Sequence, residues 1–571
     1  MKKIFLDIIK ITGKSNFLYL IGLFFCLILL SLLEFVGIGA IPVFMSAILD
    51  PQIISSKLDN PYLLNFINET NKSELIIYIS IILIVVFLIK NLFFIFIVVF
   101  QGLLTKRIKL NLSMMVYKKY LNLEYLKLIE KKSSIMIRSL TLDVGNTAVF
   151  VLNIINLCRE ILLFLAICLL LFLASPIVSL VVFVFFGIVS LLFFFNTHKK
   201  IFQQGQLLQT LSSDKIKIIN DTIGSVKEIK IFKLNKFLEK IFFQNLQLFE
   251  KYAFRNYFIK MLPRVILEMG AVTGVIILII FYIKLDQDIS ALLPFLSLVV
   301  VSIIRIVPGL NLIQNAIATL KTIMPSYNHV LKELKDSNFE EKIETNNKKK
   351  TITFTKKISI KNIEFSYPSN KTSVLKNISI EINKGDKIGI VGKSGTGKTT
   401  LVSIILGLLK PSSGNIVIDD NDIDFSKYEW SNTVGYVPQE IFLLEDTVKN
   451  NITFGLEKKN IHLDLLDKAC KDAQINNFIE SLPLKYDTMI GERGYDMSAG
   501  QKQRLGIARV LYRNPDLLIL DEVTSSLDDE TEKNFINDVF EKSKNKTIIF
   551  ISHRLSALKK CDKIYDLSEL K

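Results

Sequence analysis

The sequence predicts two fold classes in one chain: an all-α transmembrane domain of six helices, followed by an α/β domain built on a parallel sheet. Three observations carry this. Six apolar runs lie ahead of residue 320, each able to cross a hydrocarbon core that needs about 20 helical residues. A glycine-rich turn, Gly392 to Thr399, stands between the apolar strand KIGIV and the helix TLVSIILGLL. The apolar run Leu517 to Glu522 (LLILDE) reads as a strand covered on both faces, and it ends in two carboxylates where ligands gather in such sheets.

Composition sets the same bounds. A chain of 571 residues exceeds one ordinary domain, and 50% hydrophobic residues, 41 of them Phe, place much of it in lipid. The net charge of +16 is concentrated between the apolar runs, so it reads as membrane topology and not as a nucleic-acid surface. Cys26, Cys158, Cys168, Cys470 and Cys561 have neither disulfide-framework nor zinc-ligand spacing. The N-terminus lacks a short apolar stretch with a small-residue cleavage site, so the first run is expected to stay as a span.

In chain order, MKKIFLDIIKITGK is a basic amphipathic opening expected to lie on the inner membrane surface. The spans follow at about 17–47, 75–104, 155–174, 177–196, 263–284 and 289–318. Their even number puts both termini on one side. The long segments 105–154 and 197–262 are rich in Lys and Arg and are therefore cytoplasmic, continuing the spans as helical rods. Residues 51–73 form the one sizeable external connection, with Ile54, Leu58, Tyr62 and Phe66 on one helical stripe. That stripe suits either packing on the bundle or contact with a lipid substrate. The transmembrane domain is taken as residues 1–330, a charged linker as 331–350 and the nucleotide domain as 351–571.

In the glycine-rich turn, Gly392, Ser394, Gly395, Thr396 and Gly397 let backbone amides approach phosphate oxygens, Lys398 reaches the terminal phosphates, and Thr399 and Thr400 open the helix. Thr399 is positioned to ligate magnesium. Asp521 can hold a phosphate-bound magnesium, and Glu522 can activate water. ATP and Mg²⁺ are therefore the expected cofactors.

Ser498, Gly500, Gln501, Gln503 and Arg504, followed by LDEVTSSLD, resemble the signature, Walker B and D-loop of ABC transporters. The resemblance implies further roles. Tyr367 would stack on adenine, Gln439 would be the Q-loop residue and a magnesium ligand, and His553 would orient the terminal phosphate. Glu492 and Arg493 resemble the loop ahead of the signature in exporters, and coupling helices are expected near Leu123 to Glu130 and Thr222 to Ile229. The implied fold is a type IV ABC exporter half, with Ser498, Gly500 and Gln501 serving the ATP of a second half-transporter. A homodimer is the simplest assembly and a heterodimer the alternative. The signature reads MSAGQ where the family has LSGGQ. Ala499 is costly if that backbone needs a positive φ and nearly silent otherwise.

Ionisable residues inside spans are expensive and therefore informative. Lys90 and Arg305 fall near or below the midplane, and Arg264 lies lower on the fifth span, with Glu34 and Glu268 as acids. Internal pairing is one outcome: Arg264 with Glu268 at i, i+4, and Glu34 with Lys90 or Arg305. A cavity with surplus positive charge is the other, and it suits a diphosphate headgroup. Pro263 to Gly270, Ser302 to Asn311 and Ser31 to Phe44 resemble stretches of PglK-type lipid-linked oligosaccharide flippases. That resemblance implies ATP-driven movement of a polyprenyl-diphosphate-linked glycan across a bacterial inner membrane, with the nucleotide domain in the cytoplasm. Export of another lipid, a peptide or a drug is the alternative.

Overall fold

The computed structural model describes residues 2–49, 70–174, 176–284, 289–335, 349–368, 372–393, 395–430, 433–491, 494–523, 536, 539–541, 546–554 and 558–569. It divides into two compact units, residues 1–123 with 130–337 and residues 124–129 with 338–571.

The first unit is helical. Its elements are α1 (Lys2–Leu49), α2 (Lys72–Leu121), then after α3 (Tyr125–Glu130) a short α4 (Ser133–Arg138) that runs through a π-helical turn (Ser139–Asp143) into α5 (Val144–Ala174). They continue with α6 (Pro176–Gly224), α7 (Val226–Phe232), α8 (Asn235–Lys284) and α9 (Ile289–Lys335). At 1.5 Å per residue the 50 residues of α2 extend about 75 Å, over twice a hydrocarbon core of about 30 Å, so the rods reach well beyond any bilayer. Among the described residues, Phe17–Ile48, Lys72–Leu121, Ser133–Ala174 and Ser297–Lys335 are long and apolar enough to cross a membrane. The two other expected spans lie in α6 and α8, helices of 49 and 50 residues. The external stripe, Ile54 to Phe66, lies outside the described residues.

The basic opening is helical and continuous with the first apolar run: α1 runs unbroken from Lys2 to Leu49. The only break signal there is Gly13, and one glycine costs about 1 kcal/mol, too little to end a helix that is apolar on its C-terminal side.

Packing follows spacing. Leu104, Ile108, Leu112 and Val116 recur every four residues along α2 and are buried with Leu23, Leu27 and Leu30 of α1 and Val144, Ala148 and Val151 of α5. Phe150 stacks on Tyr327 with ring centroids 4.3 Å apart. The opposite side of α2 (Ile81, Ile82, Val85, Leu88, Leu92) is exposed and apolar, as a lipid-facing surface requires. Beyond the apolar runs, Arg138 pairs with Asp143 at 3.0 Å and donates to the Gln209 carbonyl of α6 at 3.2 Å, while Ser139 Oγ lies 2.8 Å from His329 Nε2 of α9. Nearby, α6 meets α9 without a spacer. A β-carbon on Gly205 would lie 2.3 Å from the Thr322 carbonyl oxygen.

Among the described residues, the second unit holds two larger sheets and two small two-stranded ones. A five-stranded parallel sheet contains β3 (Lys387–Val391), β5 (Val434–Val437), β6 (Leu517–Asp521), β7 (Thr547–Ile551) and β8 (Lys563–Asp566), in the order β8-β3-β7-β6-β5. An antiparallel sheet pairs β1 (Lys357–Phe365) with β2 (Leu375–Asn383) on one side and β4 (Ser413–Ile418) on the other. Two helices border the site, α10 (Lys398–Ile405) and α11 (Ala499–Tyr512). The strand pleat explains the unbroken apolar runs. Leu517, Ile519, Ile549 and Ile551 pack into the core shared with the antiparallel sheet, and Leu518, Leu520, Ile548 and Phe550 into the core under α11. Both faces of β6 and β7 are thus covered, and their carboxyl ends converge.

Candidate nucleotide site and membrane charge cluster

The turn between β3 and α10 is shaped by positive φ at Gly392 (153°), Gly395 (81°) and Gly397 (96°). At Gly397 a β-carbon would also meet Leu375 Cδ2 at 2.7 Å, so glycine is required there on two counts. Lys398 is buried at the start of α10, and its Nζ donates to the Gly392 carbonyl at 2.9 Å across the mouth of the turn. Thr396 Oγ1 donates to the Lys393 carbonyl, and Thr399 is the second residue of α10. The Tyr367 hydroxyl lies 3.2 Å from Thr400 Oγ1, and its ring stands edge-on to Phe365. Ser394, Glu492, Arg493 and the segment following Val523 lie outside the described residues.

Glu522 follows β6 in the left-handed region, at φ 51°. A non-glycine residue held there is strained, and such strain concentrates at functional sites. The conformation directs its carboxylate to three partners: Oε1 lies 2.7 Å from His553 Nε2 and 3.9 Å from Lys398 Nζ, and Oε2 accepts from Gln439 Nε2 at 2.8 Å. Lys398 Nζ and His553 Nε2 are 3.2 Å apart. Three residues that follow β5, β6 and β7 thereby meet the first residue of α10 in one cluster of the kind that phosphoanhydride hydrolysis uses.

Asp521 is buried beside them, and the Tyr436 hydroxyl donates to its Oδ2 at 3.3 Å. Burial, followed by the neighbouring Glu522 charge, pushes its pKa above the usual carboxylate range, against the pull of Tyr436, Lys398 and His553. A buried carboxyl whose charged form is disfavoured by its surroundings fits a cation site. The donors at hand, a hydroxyl (Thr399), an amide (Gln439) and a carboxylate (Asp521), are the oxygen set of magnesium that keeps waters and phosphate oxygens as its other ligands.

Ser498 caps α11. Its Oγ accepts from the Gln501 amide at 3.3 Å, and Gln501 Oε1 accepts from the Ser498 amide at 2.9 Å, a reciprocal capping box. Ala499 is the first helical residue and is not among the residues with positive φ. The replaced glycine is therefore not one that its backbone demands, and the exchange costs no strain.

Among the described residues, the ionisable side chains singled out in the membrane spans are paired. Lys90 Nζ lies 3.2 Å from Glu34 Oε2, and Arg305 Nε lies 2.7 Å from Glu34 Oε1. Arg264 Nε pairs with Glu268 at 2.8 Å in an exposed i, i+4 bridge, and among the described residues it shares no ion pair with Lys90 or Arg305. The structure adds a pair that the sequence reading passed over: Arg159 Nη2 and Glu160 Oε1, 2.8 Å apart within the third apolar run. Neighbours of opposite sign cancel in any charge count, which is why they gave no signal. Glu160, Arg305 and Gly309 line one small cavity.

Residues 375–525 match the ABC transporter family model. Over 217 residues the chain is 41% identical to ABC transporter B family member 13 of Arabidopsis thaliana, covering 37% of this chain and 17% of that protein. It is also 41% identical over 217 residues to the lactococcin-G-processing and transport ATP-binding protein LagD of Lactococcus lactis, covering 38% of this chain and 30% of that protein. The aligned part thus spans under a third of either relative. The chain superposes on a bacterial Atm1-family ABC exporter with ATP bound at a TM-score of 0.78 and 19% identity, covering 96% of this chain and 94% of that one. The chain has the fold of an ABC exporter, a helical membrane region fused to an α/β ATPase domain, and residues 375–525 carry the ATP-hydrolysing domain of ABC transporters.

Proposed function

We propose that the chain is one half of an ATP-driven exporter that moves a polyprenyl-diphosphate-linked oligosaccharide from the inner to the outer leaflet of a bacterial inner membrane. The observation that carries the reading is the charge balance of the membrane cluster. Two cations, Lys90 and Arg305, share one acid, Glu34, so a positive charge is left for an anionic headgroup. Arg264, exposed on α8, is the third candidate contact. A guanidinium grips a diphosphate in a way that suits neither a neutral drug nor a cationic peptide. Peptide export is the second reading, favoured by the likeness to the lactococcin-G-processing and transport protein LagD.

In the nucleotide site, Glu522 takes the proton of the attacking water, Lys398 holds terminal phosphate oxygens and His553 orients the terminal phosphate. Magnesium, held by Thr399, Gln439 and Asp521, would neutralise charge that develops on the phosphates. Tyr367 faces adenine, and Ser498, Gly500 and Gln501 contact the ATP of a second copy of the chain. Flipping of a fluorescent polyprenyl-diphosphate glycan in proteoliposomes tests the substrate. Arg305→Ala should lose flipping while retaining nucleotide binding. Normal flipping by both Arg264→Ala and Arg305→Ala refutes the headgroup site.

A further inference from the structure

Glu34 is placed as more than a counter-ion. Each of its oxygens serves a different cation from a different helix, Oε2 facing Lys90 of α2 and Oε1 facing Arg305 of α9. Its side chain is 5% exposed, whereas 41% of the Arg305 side chain is open. The ion-pair contact on Arg305 is its Nε, which among the described residues leaves the two terminal nitrogens without an acid, the end of the fork that can take two phosphate oxygens at once. Lys90 is fixed on its other side by the Phe87 ring, 4.4 Å from the ammonium. The other acid bordering Arg305 is already engaged: Glu160 Oε1 accepts from Arg159 Nε at 2.9 Å and lies 2.8 Å from its Nη2. Among the described residues, Glu34 is thus the one acid in ion-pair contact with both Lys90 and Arg305.

A carboxylate in this position does two things. It holds two mutually repelling cations side by side, and it cancels one of their charges. Without it, a site of low dielectric would present two uncompensated positive charges, and a multiply charged headgroup would be held strongly. A transport site has to release what it binds.

We propose that Glu34 is the specificity-determining residue of the headgroup site, setting its free charge to one and thereby setting how tightly a diphosphate is held. The inference rests on the headgroup reading given above. Its test uses the full-length chain in proteoliposomes and measures ATPase stimulation by polyprenyl diphosphate, with uncharged polyprenol as the control. Glu34→Gln keeps the shape and one acceptor oxygen but removes the charge. The half-saturating concentration of polyprenyl diphosphate should fall about tenfold, and the rate of flipping at saturation should fall with it as release slows. The double variant Glu34→Gln with Lys90→Gln restores the original net charge with no second cation to hold, so it guards against misfolding of the single variant. Its half-saturation should return to within about threefold of the parent, since the free charge is again one. Unchanged or weaker half-saturation in Glu34→Gln, or loss of the response in the double variant, overturns the inference and leaves the headgroup reading in place. A parent protein that responds equally to polyprenyl diphosphate and polyprenol overturns both.

Discussion

Replacing Glu522 by Gln changes one charge and almost no volume, at a side chain whose two oxygens face His553, Lys398 and Gln439. The glutamine carbonyl can still accept from Gln439, so the loop geometry should persist, but an amide cannot take a proton from water. A positioned general base contributes about 10²–10⁴-fold, so hydrolysis should fall at least about a hundredfold, or about 2.7 kcal/mol on the barrier. ATP affinity should stay within about threefold or rise, because a carboxylate close to Lys398 also repels the triphosphate. Single-turnover hydrolysis and equilibrium binding of a fluorescent ATP analogue measure the two effects separately. Hydrolysis within tenfold of the parent would refute Glu522 as the base. A large loss of ATP affinity would instead show that its role is to hold the site together.

Other consequences are equally direct. Ala499→Gly should leave ATPase activity within about twofold and lower stability by up to about 1 kcal/mol, since an ordinary helical φ gains nothing from glycine; a severalfold gain in turnover would contradict this. Gly205→Ala drives a methyl group into the Thr322 carbonyl and should cost about 1–3 kcal/mol, whereas Gly102→Ala, with no atom within 4 Å of the new carbon, should be neutral or stabilising; thermal unfolding in detergent compares them. At Asp419, burial raises the carboxyl pKa, but hydrogen bonds from the Thr355 hydroxyl and the amides of Thr355, Lys356 and Lys357 outweigh it and hold it below the usual value. The stabilisation is therefore complete above the unfolded value of about 3.9 and is lost as pH falls through the lower folded one. Asp419→Asn should lose about 1–2 kcal/mol near pH 7, and its deficit should shrink below about pH 4, as read by denaturant unfolding.

The nucleotide domain was legible because its chemistry is local in sequence. Gly392 to Thr399 and Asp521 with Glu522 announce their roles within short runs, and strand and helix periods place them at converging loop ends. The left-handed backbone of Glu522 was not legible, since nothing in LLILDE marks it. The Ala499 question also needed coordinates, because only a φ value separates a tolerated methyl group from a strained one. In the membrane region, apolar runs give helices but not partners. Whether Glu34 meets Lys90 or Arg305 depends on how α1, α2 and α9 pack, and the answer, both at once, is a tertiary fact. Arg159 and Glu160 escaped because they sum to zero.

The π-helical turn at Ser139–Asp143 sets the phase of everything after it. On a continuous α-helix, residues five apart point about 140° away from each other, so Arg138 and Asp143 could not touch. The wider turn absorbs one residue and brings them to 3.0 Å, while α5 emerges with its apolar stripe aimed at α2 and α9. Straightening this turn into ordinary α-helix with all of its residues kept would leave every downstream side chain chemically unchanged and swing the whole of α5 by about a quarter turn, carrying Phe150 off Tyr327 and Glu160 away from the cavity it shares with Arg305. The rotational setting of a long membrane rod is thus fixed by the one wide turn that takes up a surplus residue ahead of it.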